Sequence, residues 1–331
     1  MNGTTATILA GDIGGTKTNL ALYSIENGAL KLIEKQQYAS GDYAQFSDVV
    51  AAFLHGRNAA VGAACFGIAG PVIGGVCRTT NLPWEITTDA LRSQLGTGHV
   101  RLLNDLEATA YGMLYLDTSA FADLNPAGSA QGGNLAVIAA GTGLGEALLY
   151  HDGQGYRPIG TEGGHSDFAP ADAQQSSLLA WLRQRHPEHV SFERVLSGPG
   201  IYTLYEFLRD SGAAPEPEFM KSLAGDEDRS AAVSRGAFEE EDPLCHETLK
   251  LFARIYGAEA GNLALKSLSV GGVLVGGGIA PKLLPYLRDY FMETFTAKGR
   301  FTELLRRMPV RVSLEPETAL LGAAHFAADH Y

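Results

Sequence analysis

The pattern that most restricts the fold is a repeat. Residues 6–10 form a short apolar run, residues 11–16 a glycine-rich turn and residues 19–24 a second apolar run, and Asn27-Gly28 closes the unit. The same order returns with an apolar run at 135–140, a glycine turn at 141–145, a run at 147–150 and Asp152-Gly153. Asn-Gly between apolar runs signals a hairpin, because both central residues of a type I′ turn need positive φ. Two copies of strand, glycine turn, strand and hairpin turn predict two related halves facing each other, with a ligand between their turns.

The rest of the chain reads as α/β. Residues 61–68 and 99–103 are apolar enough for buried strands, and the second runs into a helical pattern at 106–113. Further on, residues 176–185, 192–196, 200–209 and 249–268 space their apolar side chains three and four apart, as helices do. A length of 331 residues favours two domains. The expected division is a small α/β domain of residues 1–113 plus 315–331, ending in a helix at 318–328, and a large α/β domain of residues 114–314.

Composition removes several classes of function. Lys plus Arg number 25 against 37 Asp plus Glu, a net charge of −12 that repels phosphate backbones, so nucleic acid is not an expected partner. Cys65, Cys77 and Cys245 form no CxxC pair, which argues against a disulfide framework and against zinc. Residues 1–10 lack the basic flank and long apolar core of a signal peptide. No apolar run approaches about 18 residues, so no membrane span is expected, and the cytoplasm is the expected compartment.

The first turn, Gly11-Asp12-Ile13-Gly14-Gly15-Thr16-Lys17-Thr18, nearly spells a Walker phosphate loop but has Thr16 in place of the last glycine. A Walker loop opens a helix, whereas the residues that follow here alternate as a strand. What remains is a hairpin turn offering backbone N–H groups and the Thr16 hydroxyl to an anion, with Asp12 able to reach Mg²⁺ through water. An ordinary glycine-rich hairpin is the competing reading. The second turn, Gly141-Thr142-Gly143-Leu144-Gly145, repeats the chemistry. A third cluster at 271–278 reads as a strand ending in Gly276, Gly277 and Gly278, which suits either a flat ring lying on bare backbone or tight packing of a helix on a strand.

Asn104-Asp105 falls where a strand gives way to a helix, the ligand side of an open α/β sheet. Asn104 with Glu107 makes a capping box, leaving Asp105 as a candidate general base. Glu162-Gly163-Gly164-His165 places a carboxylate and an imidazole in one glycine-rich loop, without the HExxH spacing of a metal helix. Glu193 begins a helical pattern, where a favourable interaction with the helix dipole would also explain it.

Taken in order, these motifs resemble the ATP-dependent glucokinases of the bacterial type, within the sugar kinase, actin and heat-shock ATPase superfamily. The resemblance runs through residues 11–16, Asn81-Leu82-Pro83-Trp84, Leu103-Asn104-Asp105, residues 141–145, 162–170 and 193–200, and Gly276-Gly277-Gly278-Ile279. It implies a two-lobed ribonuclease-H-like (actin-like ATPase) fold with the active site in the interlobe cleft, and a homodimer. It implies an enzyme that moves the ATP γ-phosphoryl group to the C6 hydroxyl of glucose. Gly11, Asp12, Ile13, Gly14, Gly15 and Thr16 would hold phosphate, as would Gly141, Thr142 and Gly143, with Gly276 and Gly277 near adenosine. Asp105 would be the base, and Asn81, Asn104, Glu162, His165 and Glu193 would join it in binding the sugar.

The related ROK family carries a zinc-binding cysteine cluster after its histidine. This chain lacks it, so His165 is read as a sugar ligand only. Glu146 departs from what a phosphate turn should want beside it, since an ionised carboxylate there repels ATP unless it points to solvent. A carboxylate with an ordinary pKa of about 4 is too weak to deprotonate a free alcohol, so Asp105 is expected to accept the proton late, as a loose transition state makes the hydroxyl acidic. Domain closure would exclude water as a competing acceptor. Two alternatives stand beside glucose phosphorylation. One is a kinase for another hexose such as mannose, fructose or an N-acetylated hexosamine. The other is a non-catalytic sugar-sensing regulator, for which the ten residues before Gly11 leave little room for a DNA-binding module.

Overall fold

The computed structural model describes residues 7–57, 59–79, 81–126, 132–315 and 317–331. The reading of residues 1–10 as free of a leader falls partly on residues 1–6, which lie outside them. In chain order the first elements are β1 (Thr7–Ile13), β2 (Lys17–Glu26), β3 (Ala29–Ala39), α1 (Phe46–Leu54) and β4 (Val61–Ile68). Three short strands follow, β5 (Val72–Ile73), β6 (Val76–Arg78) and β7 (Glu85–Thr87), then α2 (Thr88–Leu95), β8 (His99–Asn104) and α3 (Asp105–Met113). Next come β9 (Phe121–Asn125), β10 (Leu135–Ala140), β11 (Leu144–His151), β12 (Tyr156–Thr161), α4 (Ala173–Arg185), α5 (Gly198–Asp210), α6 (Glu218–Lys221) and α7 (Arg229–Phe238). The chain finishes with α8 (Pro243–Lys266), β13 (Gly272–Gly276), α9 (Leu284–Thr296), α10 (Thr302–Arg306), β14 (Val310–Ser313) and α11 (Thr318–Asp329).

The chain divides into two compact units. The first comprises Met1–Thr118, Ala147–Gly160 and Glu315–Tyr331, and the second Ser119–Glu146 and Thr161–Leu314. In the first, five strands lie in the order β3-β2-β1-β4-β8. The pairs β1 with β2 and β2 with β3 are antiparallel, and β4 lies parallel to both β1 and β8. Alternation along β1 decides the two cores, because successive side chains of a strand point to opposite faces. Leu9 and Ile13 join Phe46, Val49, Phe53, Phe66 and Trp84 on one face. Ile8 and Ala10 join Leu320, Ala323, Ala324 and Ala327 of α11 on the other.

The six-stranded sheet has the order β12-β11-β10-β13-β14-β9; of these β10, β13 and β14, parallel to one another, and β9, antiparallel at the edge, belong to the second unit. The sequence repeat is therefore a repeat of topology: third, second, first, fourth and fifth strand in each sheet, with β9 added to the later one. Asn27 and Gly28 take φ of 53° and 81°, as the hairpin signal requires.

Two local readings change. The glycine-rich stretch at 11–16 is not all turn, since β1 runs through Ile13 and the turn is confined to residues 14–16. Gly11 and Asp12 are poor strand formers, but β2 and β4 flank them on both sides and the ladder outweighs the local preference. The helical pattern at 192–196 is a single 3₁₀ turn at Phe192–Arg194. Ser197 stops it by taking an extended conformation, φ −153°, to cap α5 through its hydroxyl, which accepts from the Gly200 N–H at 3.1 Å.

Candidate active site

The candidate residues sit at strand ends in both units. In the first, Gly11, Asp12 and Ile13 are the last residues of β1, and Gly14, Gly15 and Thr16 turn the chain into β2. Gly14 N–H donates to Lys17 O at 2.9 Å, closing the turn. Ser40 clasps it from below: its hydroxyl donates to Gly14 O at 2.9 Å and lies 3.0 Å from Thr18 Oγ1, while its N–H donates to Thr16 O at 3.0 Å. Sequence reasoning missed Ser40, whose only signal is its place at the end of β3, opposite the turn. Asn81 reaches the same turn, since a side chain added at Gly15 would meet Asn81 Cβ at 2.8 Å.

Asp12 is half-buried, and its carboxyl is pushed up mainly by burial, against which Asn19 Nδ2 donates from 3.4 Å. Register places Asp12 opposite Asn19 on β2 and opposite Gly67 on β4. Two strands further on, Asn104 ends β8 and caps α3: its Oδ1 accepts from the N–H groups of Leu106 at 2.8 Å and Glu107 at 3.4 Å, and Glu107 Oε2 accepts from Asn104 N–H at 2.8 Å. Glu107 uses its other oxygen on Gly160 N–H at 2.9 Å. Asp105 follows as the first residue of α3, its Oδ1 accepting from Leu106 N–H at 2.9 Å, where the helix dipole favours a carboxylate. Its backbone packs against Gly67 on β4.

In the second unit the turn at Gly141, Thr142 and Gly143 joins β10 to β11. Gly141 N–H donates to Gly143 O at 2.8 Å, and Gly141 O accepts from Gly198 N–H at 2.8 Å, which ties the turn to the start of α5. Glu193 Oε2 accepts from Leu144 N–H at 2.9 Å. Its Oε1 lies 4.0 Å from His165 Nδ1. One carboxylate thus touches the glycine turn and approaches the imidazole of the 162–165 loop, in place of the helix-dipole partnership that the sequence also allowed. Glu162 and His165 are exposed. Gly276 ends β13, and Gly277 turns away with φ 80° against the Ala140 backbone.

Glu146 stands differently from expectation. It does not point to solvent: it is 2% exposed, and burial together with the nearby Glu259 carboxyl pushes it up to about 8, which favours the neutral acid over an anion beside the phosphate turn. Among the described residues no group of three or more His, Cys, Asp or Glu side chains could hold a metal ion. All three cysteines are buried and unbridged.

Solved structures that share this actin-like ATPase fold include sugar kinases. A glucokinase from an Antarctic psychrotroph matches with a TM-score of 0.84 at 29% identity, covering 98% of this chain and 99% of its own. A ROK family glucokinase from Streptomyces griseus shares the fold with a TM-score of 0.63 at 21% identity, covering 98% of this chain and all of its own. The glucokinase of Nostoc punctiforme is 42% identical over 97% of this chain and 98% of its own length. The Glucokinase family model matches residues 9–330, and the chain belongs to that family.

Proposed function

We propose that the chain transfers the γ-phosphoryl group of ATP to the C6 hydroxyl of glucose, giving glucose 6-phosphate and ADP. In this reading the turns at residues 14–16 and 141–143 bind phosphate through their N–H groups and the hydroxyls of Thr16 and Thr142, and Gly276 and Gly277 accept the adenosine. Asn81, Asn104, Glu162, His165 and Glu193 bind the sugar hydroxyls. Asp105, fixed at the first residue of α3, accepts the C6 proton as the transition state makes that hydroxyl acidic. The observation that carries the reading is Glu193, whose carboxylate holds Leu144 N–H at the phosphate turn and lies 4.0 Å from His165 in the sugar loop.

Mg²⁺ fits Asp12. A carboxyl destabilised by burial, with Asn19 Nδ2 no nearer than 3.4 Å, is suited to hold a hydrated divalent cation through water. When bound, the ion would neutralise phosphate charge, with Asp12 as the residue that would hold it through water. No zinc is required. No described helix is long and apolar enough to cross a membrane. A cytoplasmic homodimer completes the reading, and sedimentation at micromolar concentration showing only monomer would remove the dimer.

The test is a coupled assay across glucose, mannose, fructose and N-acetylated hexosamines, run on wild type and Asp105→Asn. Glucose should give the highest kcat/KM. The asparagine keeps the shape of the aspartate without accepting a proton, so kcat should fall about 10²- to 10⁴-fold with little change in glucose affinity. Near-normal turnover in a folded variant would take Asp105 out of the mechanism.

A further inference from the structure

The proposed mechanism leaves a buried acidic pair unused in the second unit. Glu146, on β11 just after the glycine turn, is 2% exposed, and Glu259, midway along α8, is fully buried. The Glu259 carboxyl lies near enough to push Glu146 up by charge repulsion, on top of burial. Two buried carboxylates side by side do not both stay ionised, so one of them holds a proton. Glu259 has its charge compensated, since Asn262 Nδ2 donates to its Oε2 at 2.8 Å and Lys266 Nζ lies 3.5 Å from its Oε1. Oε1 of both carboxyls is buried with no hydrogen-bond partner among the described residues, and of the two it is Glu259 that has an amide donor and a lysine beside it. The proton therefore belongs to Glu146.

The sugar loop rests on this group. Thr161 Oγ1 donates to Glu146 O at 2.8 Å and accepts from Gly163 N–H at 3.1 Å. A side chain at Gly163 would collide with Glu146 Oε2. Gly163 lies between Glu162 and His165, so the carboxyl forms the floor on which both are presented. We propose that Glu146 is a positioning residue: it shares one proton with Glu259 and, in that neutral form, seats residues 162–165 for glucose. The proposal rests on the reading of those residues as a sugar loop.

The groups facing the pair are Tyr256 and Lys266 on α8 and, after α9, Lys298, which donates to Ala258 O at 2.9 Å and Asn262 Oδ1 at 2.7 Å. Both lysines lie on the Glu259 side. Loss of the shared proton leaves two adjacent buried anions, and repulsion drives the Glu146 carboxyl away from Glu259, against Gly163. Burial and Glu259 place that loss at about 8. The sign follows: the protonated form binds sugar, so affinity is full below this value and falls above it. Each further pH unit reduces the competent fraction tenfold, which makes the expected loss between pH 7 and pH 9 about tenfold.

The measurement is calorimetric titration of glucose alone, from pH 6.5 to 9.5, in buffers of different ionisation enthalpy. For wild type, Kd should rise about tenfold between pH 7 and 9, with uptake of close to one proton per glucose at the upper end. Glu146→Gln keeps the shape and cannot ionise, so its Kd should stay flat with no proton uptake. The same rise in Glu146→Gln, or a flat wild type, overturns the proposal. Should that variant not fold, Glu259→Gln removes the neighbouring charge and should move the wild-type midpoint to lower pH; an unmoved midpoint overturns it equally. Wild type that binds no glucose at any pH overturns the glucokinase reading together with this one, whereas pH-independent binding overturns this one alone.

Discussion

Glu193→Ala removes the brace on the glycine turn together with the proposed sugar contact, and Glu193→Gln tells the two apart. Leu144 N–H, which donates to Glu193 Oε2 at 2.9 Å, belongs to a residue only 5% exposed, so its amide would be left without an acceptor. An orphaned buried N–H costs roughly 1 to 3 kcal/mol, and loss of a hydrogen bond to sugar costs a similar amount. The Glu193 side chain is 32% exposed, and solvent can replace part of each interaction, which favours the lower half of that range. About 1 to 2 kcal/mol corresponds to a fall of roughly 5- to 30-fold in kcat/KM, expected separately for ATP and for glucose. Glu193→Gln supplies the control: its amide oxygen still accepts from Leu144 N–H, so ATP kinetics should return most of the way while glucose kinetics remain impaired. The assay varies each substrate at saturation of the other. Were Glu193→Ala to leave the ATP parameters within twofold of wild type, the brace on the turn would carry no energy. Unchanged glucose parameters would take Glu193 out of the sugar set.

Two further outcomes follow from the same geometry. Glu162→Gln should lose about 1 to 3 kcal/mol in kcat/KM for glucose and less for a deoxy analogue lacking the contacted hydroxyl; equal losses across the sugar series would show that Glu162 does not read the sugar. Gly277→Ala sets a side chain at φ 80° where it would meet Ala140 C at 2.8 Å and N at 3.0 Å, so urea unfolding should report about 2 kcal/mol or more of lost stability, and a variant as stable as wild type would refute that packing.

How much was legible depends on how local each cause is. The repeated strand and hairpin units were readable because Asn27-Gly28 and the runs beside it state their conformation within a few residues. The Asn104 cap was readable for the same reason, with Glu107 three residues on. The extent of the first turn was not, because β1 is held to Ile13 by β4, whose residues lie far along the chain. Ser40 braces Gly14 across a separation of 26 residues, and no pattern in either segment announces the partnership. At residues 192–196 the apolar spacing was helical, yet the cap requirement of the next helix at Ser197 overrode it. Glu146 is the plainest case: beside a glycine turn it reads as a charge, and only its burial and α8, supplying Glu259 much later in the sequence, push it toward the neutral acid.

The helix that completes the first unit comes last. Leu320, Ala323, Ala324 and Ala327 of α11 cover the face of the sheet that presents Ile8, Ala10, Ala21 and Cys65. The contact is intimate, because a side chain at Gly112 of α3 would collide with the backbone of Thr318. During synthesis the five strands and α3 of this unit can be finished while the part of the face that α11 covers is still bare, for as long as it takes to make the residues up to 329. At about 5 to 20 residues per second, the roughly 200 residues between α3 and α11 keep that surface open for some tens of seconds. A nascent chain of this protein therefore carries a half-covered apolar sheet through most of its elongation.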